Sequence, residues 1–138
     1  MMADCVFCRI VAKQIPATVV HEDEHTLAFM DIGQVNPGHV LVALKQHAEN
    51  IFALDEAQAA AVFRAAAKVA RAIRAAFEPQ GLSVYQANGA AAGQTVFHLH
   101  VHLVPRHEGD GMALTWPVKN PPRERLAEYA EKIRARLG

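Results

Sequence analysis

Between residues 98 and 104, polar and hydrophobic residues alternate, and each of the three polar positions is a histidine. Successive side chains of a β-strand point to opposite faces of its sheet. The alternation therefore predicts a strand that carries its histidines on one face and its apolar residues on the other. Same-face neighbours stand roughly 6.5–7 Å apart on a strand, so two adjacent imidazoles can contact one small anion. A strand face that is merely solvated is the alternative interpretation.

Four further segments have the pattern of strands separated by turns. Residues 18–21 and 26–29 flank a charged turn, which predicts a hairpin. Residues 39–44 follow an Asn-Pro-Gly turn and are almost continuously apolar, which is typical of a strand buried on both faces. Residues 82–86 predict a strand that leads, through a glycine-bearing loop beginning at Asn88, into the histidine segment.

Three segments have the pattern of helices. A short helix is predicted after the N-terminal cysteine pair, and it ends near Ile15-Pro16 because the residue before a proline disfavours helix. A long helix is predicted from Asp55, which opens a capping-box pattern, through Phe77, with Gly81 ending the helical region. A last amphipathic helix follows Pro121-Pro122. Hairpin strands around one long helix indicate an α+β fold with an antiparallel sheet, one long helix and short terminal helices.

Length, hydrophobic content and charge balance limit the kinds of protein and partner that this chain can represent. The chain has 138 residues and 51% hydrophobic content, which suits a single domain over residues 1–138 and excludes a disordered chain. Lysine plus arginine number 14, as do aspartate plus glutamate, so neither a nucleic-acid partner nor a membrane partner is expected. No apolar run reaches the ~18 residues of a membrane span. The expected partner is a small molecule.

The N-terminal residues and the number of cysteines indicate in which cellular compartment the protein is expected. Residues 1–4 show no basic and apolar leader pattern. The two cysteines, Cys5 and Cys8, are too few for a disulfide framework. We therefore expect a cytoplasmic protein with reduced thiols.

The histidine segment resembles the His-φ-His-φ-His-φ-φ signature of the histidine-triad (HIT) family of nucleotide hydrolases and transferases, where φ is hydrophobic. Matching segments occur in matching order within residues 1–110: Cys5-Val6-Phe7-Cys8, Ile15-Pro16, Ala28-Phe29-Met30-Asp31-Ile32, Pro37-Gly38-His39 and Lys45-Gln46-His47. Residues 111–138 lack family landmarks and form a C-terminal extension that contains the amphipathic helix. The resemblance is to bacterial-type members with an N-terminal Cys-x-x-Cys. It implies the histidine-triad fold and a homodimer joined through sheet and helix.

A neutral imidazole is suited to attack phosphorus that already carries negative charge, because it adds no charge and leaves again once it is protonated. By resemblance, His100 is the nucleophile that forms a nucleotidyl-histidine intermediate, which water then hydrolyses. His102 is expected to bind the phosphoryl oxygens or to protonate the leaving group. His39 resembles the further histidine that completes the catalytic set from a neighbouring strand. A hydrogen-bonded core histidine is the alternative for His39.

The resemblance also implies a nucleoside site between the first helix and the hairpin strands. Apolar side chains there sandwich the base, and the carboxylate of Asp31 accepts hydrogen bonds from the ribose hydroxyls. Backbone N–H groups and polar side chains of the loop before the triad bind phosphate oxygens. Core packing is the alternative for the apolar residues, and a helix or turn cap for Asp31. The expected substrate-binding residues are Phe7, Ile10, Phe29, Asp31, Ile32, Asn88, Gly93, Gln94 and Thr95.

Cys5 and Cys8 have the spacing of half a structural zinc site, which needs two more ligands. In the similar uridylyltransferase branch, these are an upstream histidine and the first triad histidine, whose positions match His47 and His98 here. Two thiolates and two imidazoles make a closed tetrahedral site that joins the N-terminal segment to the triad without taking part in chemistry. A redox-active pair and two plain buried thiols are the alternatives.

Together, the residues and the resemblance predict an enzyme that cleaves at the α-phosphate of nucleoside 5′-phosphoramidates or dinucleoside polyphosphates. The expected substrate is a purine nucleotide, the expected metal is a structural zinc ion, and no organic cofactor is expected. The alternative is a nucleotide-binding or scaffold protein in which catalysis is incidental or absent. The intact triad favours the enzyme, because a binding protein has no need of a nucleophile.

Overall fold

A computed structural model of the protein describes residues 4–113 and 115–138. Within them, five strands form an antiparallel sheet in the order β1-β2-β3-β5-β4. The strands are β1 (Val19–Glu22), β2 (Thr26–Met30), β3 (Val40–Leu44), β4 (Gly81–Tyr85) and β5 (His100–Arg106). The helices are α1 (Val6–Val11), α2 (Glu56–Phe77) and α3 (Arg123–Arg134), with 3₁₀ turns at Ile51–Ala53 and Ala90–Ala92. The predicted α+β fold, with an antiparallel sheet, one long helix and short helices, is confirmed.

The strands β1 and β2 form the predicted hairpin. Asp23 fixes its turn, because Oδ1 accepts hydrogen bonds from the backbone N–H groups of His25 (2.9 Å) and Thr26 (2.7 Å). The next strand, β3, lies between β2 and β5 and is buried along its whole length. Burial on both faces therefore explains the continuous apolar run of β3, as predicted.

The helix α2 covers one face of the sheet. Its buried residues recur at helical spacing and pack on β3 and β5, and Val101 and Leu103 of β5 belong to the same cluster. Burial of each aliphatic side chain stabilises the fold by about 1.5–3 kcal/mol. Because side chains alternate along a strand, the burial of Val101 and Leu103 turns His100 and His102 to the opposite face.

The helix α1 covers that opposite face. Phe7 and Ile10 of α1 are buried in a second cluster with Phe29 of β2 and Leu41 of β3. The rings of Phe7 and Phe29 meet edge-on with their centroids 5.3 Å apart, a favoured aromatic arrangement. The histidines of β5 therefore lie on the side of the sheet where α1 and the hairpin come together.

Two helix boundaries differ from the predictions. The helix α1 begins between the two cysteines and not after them, because Cys5 is its N-cap and its Sγ accepts the N–H of Cys8 at 3.3 Å. The helix α2 reaches Phe77 as predicted, but Gly81 opens β4 instead of ending the helix. The residue that ends α2 is Glu78, which adopts the left-handed conformation (φ 47°) directly before a proline.

The histidine segment enters the sheet later than predicted. The strand β5 begins at His100, and His98 lies in a bend before it. The N–H of Leu99 donates to the carbonyl of Ala48 (2.7 Å), and the carbonyl of Leu99 accepts from the N–H of Leu44 (3.2 Å). These bonds hold the bend beside the end of β3. The predicted alternation persists, because Leu99 packs with α2 while the ring of His98 meets the ring of Phe7 on the α1 side.

The last helix, α3, begins after Pro121-Pro122, as predicted, and ends before Leu137. None of the helices in the described residues combines the length and the apolarity needed to cross a membrane. Residues 1–3, on which part of the leader prediction depends, lie outside the described residues.

Candidate active site and metal centre

His100 opens β5 and faces α1. Its Nδ1–H donates to the main-chain carbonyl of His98 at 2.6 Å, and its ring meets that of Phe7 edge-on with centroids 4.9 Å apart. Burial lowers the pKa of His100, against the opposing effects of the His98 carbonyl and the Asp31 carboxylate. A neutral imidazole with its proton on Nδ1 has its free lone pair on Nε2. His100 therefore has the tautomer that a nitrogen nucleophile requires.

His39 and His102 lie side by side, one just before β3 and one in β5. The backbone N–H of Val35 donates to His39 Nδ1 (3.3 Å), which assigns the proton of neutral His39 to Nε2. That nitrogen lies 3.0 Å from Nδ1 of His102 and donates to it, so the proton of neutral His102 is on Nε2. Burial lowers the pKa of both histidines, that of His102 to about 4. Both rings are therefore neutral at pH 7, and His102 has an N–H free to donate to a ligand.

Asp31 follows β2, and its carboxylate faces these two histidines. Oδ2 lies 3.4 Å from Nε2 of His39 and 3.8 Å from Nδ1 of His102. Its negative charge opposes the lowering of the pKa of both rings. Oδ1 accepts the backbone N–H of Gly33 at 2.8 Å, so Asp31 also makes the turn-cap contact that was its alternative role.

A cavity of about 1150 Å³ adjoins the histidines and is slightly larger than the ~300–1,000 Å³ that is usual for ligand pockets. Phe7 and Phe29 are only 7% and 3% exposed, so the core-packing alternative holds for them even though they border the cavity. Ile32, by contrast, is fully exposed at the cavity. The sequence-predicted residues that line the cavity are Phe7, Ile10, Phe29, Asp31, Ile32, Thr95, His100 and His102.

The loop before the triad is organised by the side chain of Gln94, which is buried. Its Oε1 accepts the N–H of Gly89 (2.7 Å), and its Nε2 donates to the carbonyls of Glu49 (2.7 Å) and Val96 (3.3 Å). Both N–H groups of the amide and one lone pair of its oxygen are thereby used within the protein. Gln94 holds the shape of the loop in this structure.

Asn88 is also engaged away from the cavity, because its Oδ1 accepts the N–H of Ile51 at 2.8 Å. Gly93 adopts a positive φ of 92°, which ends the 3₁₀ turn before the triad. Among the four loop residues that the sequence proposed for phosphate binding, the structure brings Thr95 to the cavity. Asn88, Gly93 and Gln94 are absent from the cavity lining within the described residues.

Gln34 is a positioning residue that the sequence analysis missed. Its Oε1 accepts the N–H groups of Gly38 and His39 (3.0 Å each), and its Nε2 donates to the carbonyls of Asp31 (2.5 Å) and His39 (2.7 Å). One amide thus holds the turn that sets the distance between Asp31 and His39. A single glutamine in a turn has no periodicity to mark it, and its only signal is a polar side chain between two predicted site residues.

Cys5, Cys8, His47 and His98 meet on the same side of the sheet, with one ligand atom from each within 4.8 Å of the others. Cys5 Sγ lies 3.2 Å from His98 Nδ1, Cys8 Sγ lies 3.4 Å from His47 Nδ1, and the two Nδ1 atoms are 3.2 Å apart. Tetrahedral zinc, with Zn–S near ~2.3 Å and Zn–N near ~2.0 Å, holds its ligand atoms about 3.3–3.8 Å apart. The three distances between these atoms lie within or close to that range.

His98 has the tautomer that a metal ligand requires. Its side chain is fully buried, and its Nε2–H donates to the carbonyl of Leu44 at 2.6 Å, so Nδ1 carries the lone pair that faces the cysteines. A second cavity, of about 490 Å³, is lined by Cys5 and His47 and gives the cluster an entry path from solvent. The donor set, the spacing and the outer hydrogen bond therefore fit a structural zinc ion.

Residues 12–109 match a family model described as the HIT domain. The chain is similar to Protein hit of Bacillus subtilis, with 50% identity over 114 residues, covering 82% of this chain and 79% of that protein. It is also similar to adenosine 5'-monophosphoramidase hnt1 of Schizosaccharomyces pombe, with 34% identity over 134 residues, covering 96% of this chain and 98% of that protein.

Solved structures share the fold over nearly the whole chain. A HIT family protein from Bacillus anthracis has a TM-score of 0.95 at 42% identity, with 100% of each chain covered. A protein from Streptococcus mutans has a TM-score of 0.94 at 44% identity, with 98% of this chain and 86% of that chain covered. A zinc-bound histidine triad family protein from Mycobacterium smegmatis has a TM-score of 0.75 at 34% identity, with 96% and 97% covered.

Proposed function

The chain belongs to the histidine-triad (HIT) family, and we propose that it is a nucleotide hydrolase or transferase acting at the α-phosphate of nucleoside 5′-phosphoramidates or dinucleoside polyphosphates. The observation that carries the proposal is the 2.6 Å hydrogen bond from His100 Nδ1–H to the His98 carbonyl, which leaves the Nε2 lone pair for attack. His100 lines a cavity large enough for a nucleotide. The name of the fission yeast relative, an adenosine 5'-monophosphoramidase, supports the phosphoramidate substrate class.

In the proposed reaction, Nε2 of His100 forms a bond to the α-phosphorus while the bond from phosphorus to the leaving group breaks. The leaving group keeps the bonding electron pair and takes up a proton from solvent. Water then attacks the same phosphorus and returns a proton to solvent, the bond from phosphorus to Nε2 breaks with its electron pair returning to Nε2, and nucleoside monophosphate is released with neutral His100 restored. A transferase differs only in that another acceptor replaces this water.

We assign His102 the role of donor to the phosphoryl oxygens or to the leaving group, because its proton is on Nε2 and the ring borders the cavity. His39 is a positioning residue that fixes this tautomer through its own contact with Val35. Thr95 also lines the cavity, and we propose its hydroxyl as a second donor. Donors fixed in advance stabilise the charge that develops on phosphoryl oxygens.

A purine base is the proposed occupant of the apolar part of the cavity, bordered by Phe7, Ile10 and Phe29. Asp31 is proposed to accept the ribose hydroxyls, since its carboxylate borders the same cavity beside the histidines. For the loop, the position of Thr95 at the cavity supports direct phosphate binding by this residue. For Gln94, they support a role in shaping the loop.

We further propose that Cys5, Cys8, His47 and His98 hold one structural zinc ion. The ligand spacing and the His98 tautomer support it, as does the zinc-bound relative from Mycobacterium smegmatis. When bound, the ion cross-links the N-terminal segment to the histidine segment and stabilises both. Ligation by two thiolates requires reduced cysteines, in keeping with the cytoplasmic location expected from the sequence.

We also propose a homodimer. The strand β4 is at an edge of the sheet, and its Val84 and Tyr85 are 51% and 42% exposed. An exposed edge strand with apolar side chains is a template for pairing with another chain. Phe63 of α2 is also largely exposed, so a helix and an edge strand both offer apolar surface. Sedimentation equilibrium tests this proposal, with an expected mass of twice the 15.1 kDa of one chain.

A turnover panel tests the proposed activity. Adenosine 5′-phosphoramidate and diadenosine polyphosphates are offered to the wild type and to His100→Ala. The wild type is expected to release adenosine monophosphate, preceded by a burst of the leaving group where hydrolysis of the intermediate is slow, and the variant is expected to release neither product. Tight nucleotide binding without release by the wild type would reject the enzyme and favour the nucleotide-binding alternative.

A further inference from the structure

Asp110 lies in the loop after β5, and five N–H groups donate to its carboxylate. Two belong to Arg106, whose Nε donates to Oδ2 (2.7 Å) and whose Nη2 donates to Oδ1 (3.1 Å). The backbone N–H groups of His107 (3.1 Å) and Met112 (3.0 Å) add two more. The side chain of Asp110 is only 4% exposed, and a bidentate ion pair of this kind is among the stronger hydrogen-bonded arrangements in proteins. Asp110 is therefore a rigid anchor at the end of β5.

The fifth donor is Asn36, in the turn before β3 (residues 35–38, here called the His39 turn). Its Nδ2 donates to Asp110 Oδ2 at 3.0 Å and to the carbonyl of Pro105 in β5 at 2.7 Å. Both N–H groups of the amide are thereby used, because each has its own acceptor. The backbone carbonyl of Asn36 accepts the N–H of His39 at 3.2 Å, which closes the turn. Asn36 therefore ties the His39 turn both to β5 and to the anchor.

The His39 turn also decides which way the hydrogen bond between His39 and His102 points. The N–H of Val35 donates to His39 Nδ1 at 3.3 Å, and Nε2 of His39 therefore donates to Nδ1 of His102 at 3.0 Å. Asp31 does not distinguish the two directions, because its Oδ2 is an acceptor near both rings, 3.4 Å from His39 Nε2 and 3.8 Å from His102 Nδ1. Of these contacts, that of Val35 fixes the direction.

The contact of Val35 with His39 is the weak point of this arrangement. Its 3.3 Å exceeds the ~2.7–3.2 Å usual for N–H···O hydrogen bonds, so a small displacement of the turn breaks it. The bond between the histidines can then reverse, so that His102 donates its Nδ1–H to Nε2 of His39 and presents a lone pair to the cavity in place of an N–H. In that tautomer, His102 cannot donate to a phosphoryl oxygen or to a leaving group.

We propose that Asn36 and Asp110 are positioning residues for the reaction, which hold the His39 turn where Val35 keeps the proton of His102 on Nε2. Gln34 holds the same turn independently, through its own hydrogen bonds. Loss of the Asn36 contacts is therefore expected to loosen the turn without unfolding the protein. The inference rests on the donor role proposed above for His102, and it adds residues outside the catalytic set that maintain this role.

Nitrogen-15 NMR of the histidine side chains tests the inference on the full-length protein without substrate. The protonated nitrogen and the lone-pair nitrogen of a neutral imidazole resonate in separate ranges, so the spectrum reports the tautomer. His102→Gln assigns the resonances of His102, and the wild type is expected to carry the proton on Nε2. Asn36→Ala removes both Nδ2 bonds and is expected to give a mixture of the two tautomers.

Ser83→Ala is the matched control. It removes the hydrogen bond from Arg106 Nη1 to the Ser83 hydroxyl (3.1 Å), which belongs to the same network, and it leaves the contacts of Asn36 in place. The control is expected to keep the wild-type spectrum. Asp110→Asn is the second test variant, because its NH₂ group necessarily faces N–H donors, and it is expected to shift the tautomer in the same direction as Asn36→Ala.

Steady-state kinetics of the same variants connects the tautomer to the reaction. Asn36→Ala is expected to lower kcat by about three- to tenfold, because part of the enzyme then lacks the donor. Its KM is expected to change by less than about twofold, because Asp31 and the apolar part of the cavity keep their places. Ser83→Ala is expected to match the wild type in both constants.

The inference and the proposed function fail in different ways. Folded Asn36→Ala or Asp110→Asn protein that keeps the proton of His102 on Nε2 overturns the inference, whatever the kinetics. A mixture of tautomers with unchanged kcat also overturns it, as do equal changes in Ser83→Ala, which would attribute the effect to lost stability. A mixture of tautomers in the variants, with no turnover by the wild type, rejects the proposed function and leaves the control of the tautomer by the turn standing.

Discussion

The Nδ1–H of His100 donates to the main-chain carbonyl of His98 at 2.6 Å, while the imidazole of His98 lies 3.2 Å from Cys5 Sγ. One residue thus orients the proposed nucleophile with its backbone and holds the proposed metal with its side chain. The bend is also fixed by the hydrogen bonds that Leu99 makes with Ala48 and with Leu44. The carbonyl that orients His100 therefore has support that does not depend on the metal.

His100→Ala is expected to lower turnover by at least about a thousandfold, because it removes the nucleophile on which both steps depend. Nucleotide binding and folding are expected to persist. Steady-state rates and titration calorimetry measure the two effects, and mass spectrometry of quenched wild type is expected to show nucleoside monophosphate on His100. His107→Ala, at an exposed histidine, is the matched control. Retention of more than a few per cent of activity by His100→Ala would reject the assignment.

Purified protein is expected to contain about one zinc ion per chain, since four N and S ligands satisfy a structural site. Cys5→Ser is expected to lose the metal and to lower the melting temperature more than the rate per folded molecule, because Leu99 still anchors the bend. His98→Ala is likewise expected to lose the metal and to lower the melting temperature first, whereas His100→Ala is expected to lose turnover first. Metal analysis, thermal denaturation and kcat are the measurements.

The control for the metal prediction is His25→Ala, which changes an exposed histidine outside the cluster. It is expected to keep both zinc and melting temperature. Zinc ligation requires deprotonated thiols and neutral imidazoles, so occupancy is expected to fall in mild acid or with a chelator. Protein prepared under reducing, chelator-free conditions that holds no zinc would contradict the proposed site.

The fold was predictable because its signals are local. Alternation placed the histidines of β5 opposite Val101 and Leu103, and the capping pattern at Asp55 gave the start of α2. The start of α1 was less visible, since Cys5 is not one of the residues that usually cap helices. Local patterns therefore defined the elements better than their exact boundaries.

Site residues that belong to a sequence motif could be predicted. Residues whose side-chain direction depends on a contact with a distant part of the chain could not. The cluster of Cys5, Cys8, His47 and His98 forms as the resemblance implied. The direction of the Gln94 amide depends on Glu49, which lies 45 positions earlier in the chain, and no local pattern reports such a contact. Polar residues of the same type can thus bind substrate or brace a loop, and only the folded chain distinguishes the two.

Asp31→Asn is expected to weaken the binding of ribonucleotides by about tenfold or more, because hydrogen bonds to a charged group contribute about 1.5–3 kcal/mol. The loss should be smaller for 2′,3′-dideoxy analogues, which lack the hydroxyls that the carboxylate is proposed to accept. Titration calorimetry with matched pairs of analogues measures the difference. Equal losses for ribonucleotides and dideoxy analogues would show that Asp31 acts through His39 and His102 and not through the ribose hydroxyls. The nearest nitrogens of these histidines lie 3.4 and 3.8 Å from its Oδ2.

Gln94→Ala is expected to lower the free energy of unfolding by about 1–3 kcal/mol, because it removes a buried side chain that makes three hydrogen bonds to the backbone. The affected groups are the N–H of Gly89 and the carbonyls of Glu49 and Val96. Urea denaturation measures the loss, with Gln46→Ala at an exposed glutamine as the control. A variant of unchanged stability and raised KM would instead support the direct phosphate contact expected from the sequence.

The free energy of unfolding is expected to fall in acid partly because of His102. Burial, followed by the neighbouring His100 and His39, lowers the pKa of this residue from 6.5 to about 4 in the folded protein, against the opposing charge of Asp31. Between these values the unfolded chain binds a proton that the folded chain does not, so stability rises with pH across the interval. The contribution of His102 is fully present above pH 6.5 and is lost as pH falls toward about 4.

His102→Gln removes this titration while keeping a side-chain N–H. The free energy of unfolding of the variant is expected to depend less steeply on pH between about 4 and 6.5, by at most one bound proton. Urea denaturation at several pH values across the interval measures both slopes. The pKa values of His39, His98 and His100 are lowered in the same direction, and these residues titrate in both proteins, so the difference between the slopes reports His102 together with its coupling to His100 and His39. His107→Gln is expected to match the wild type, and equal slopes for His102→Gln and wild type would show that the pKa of His102 is not lowered by folding.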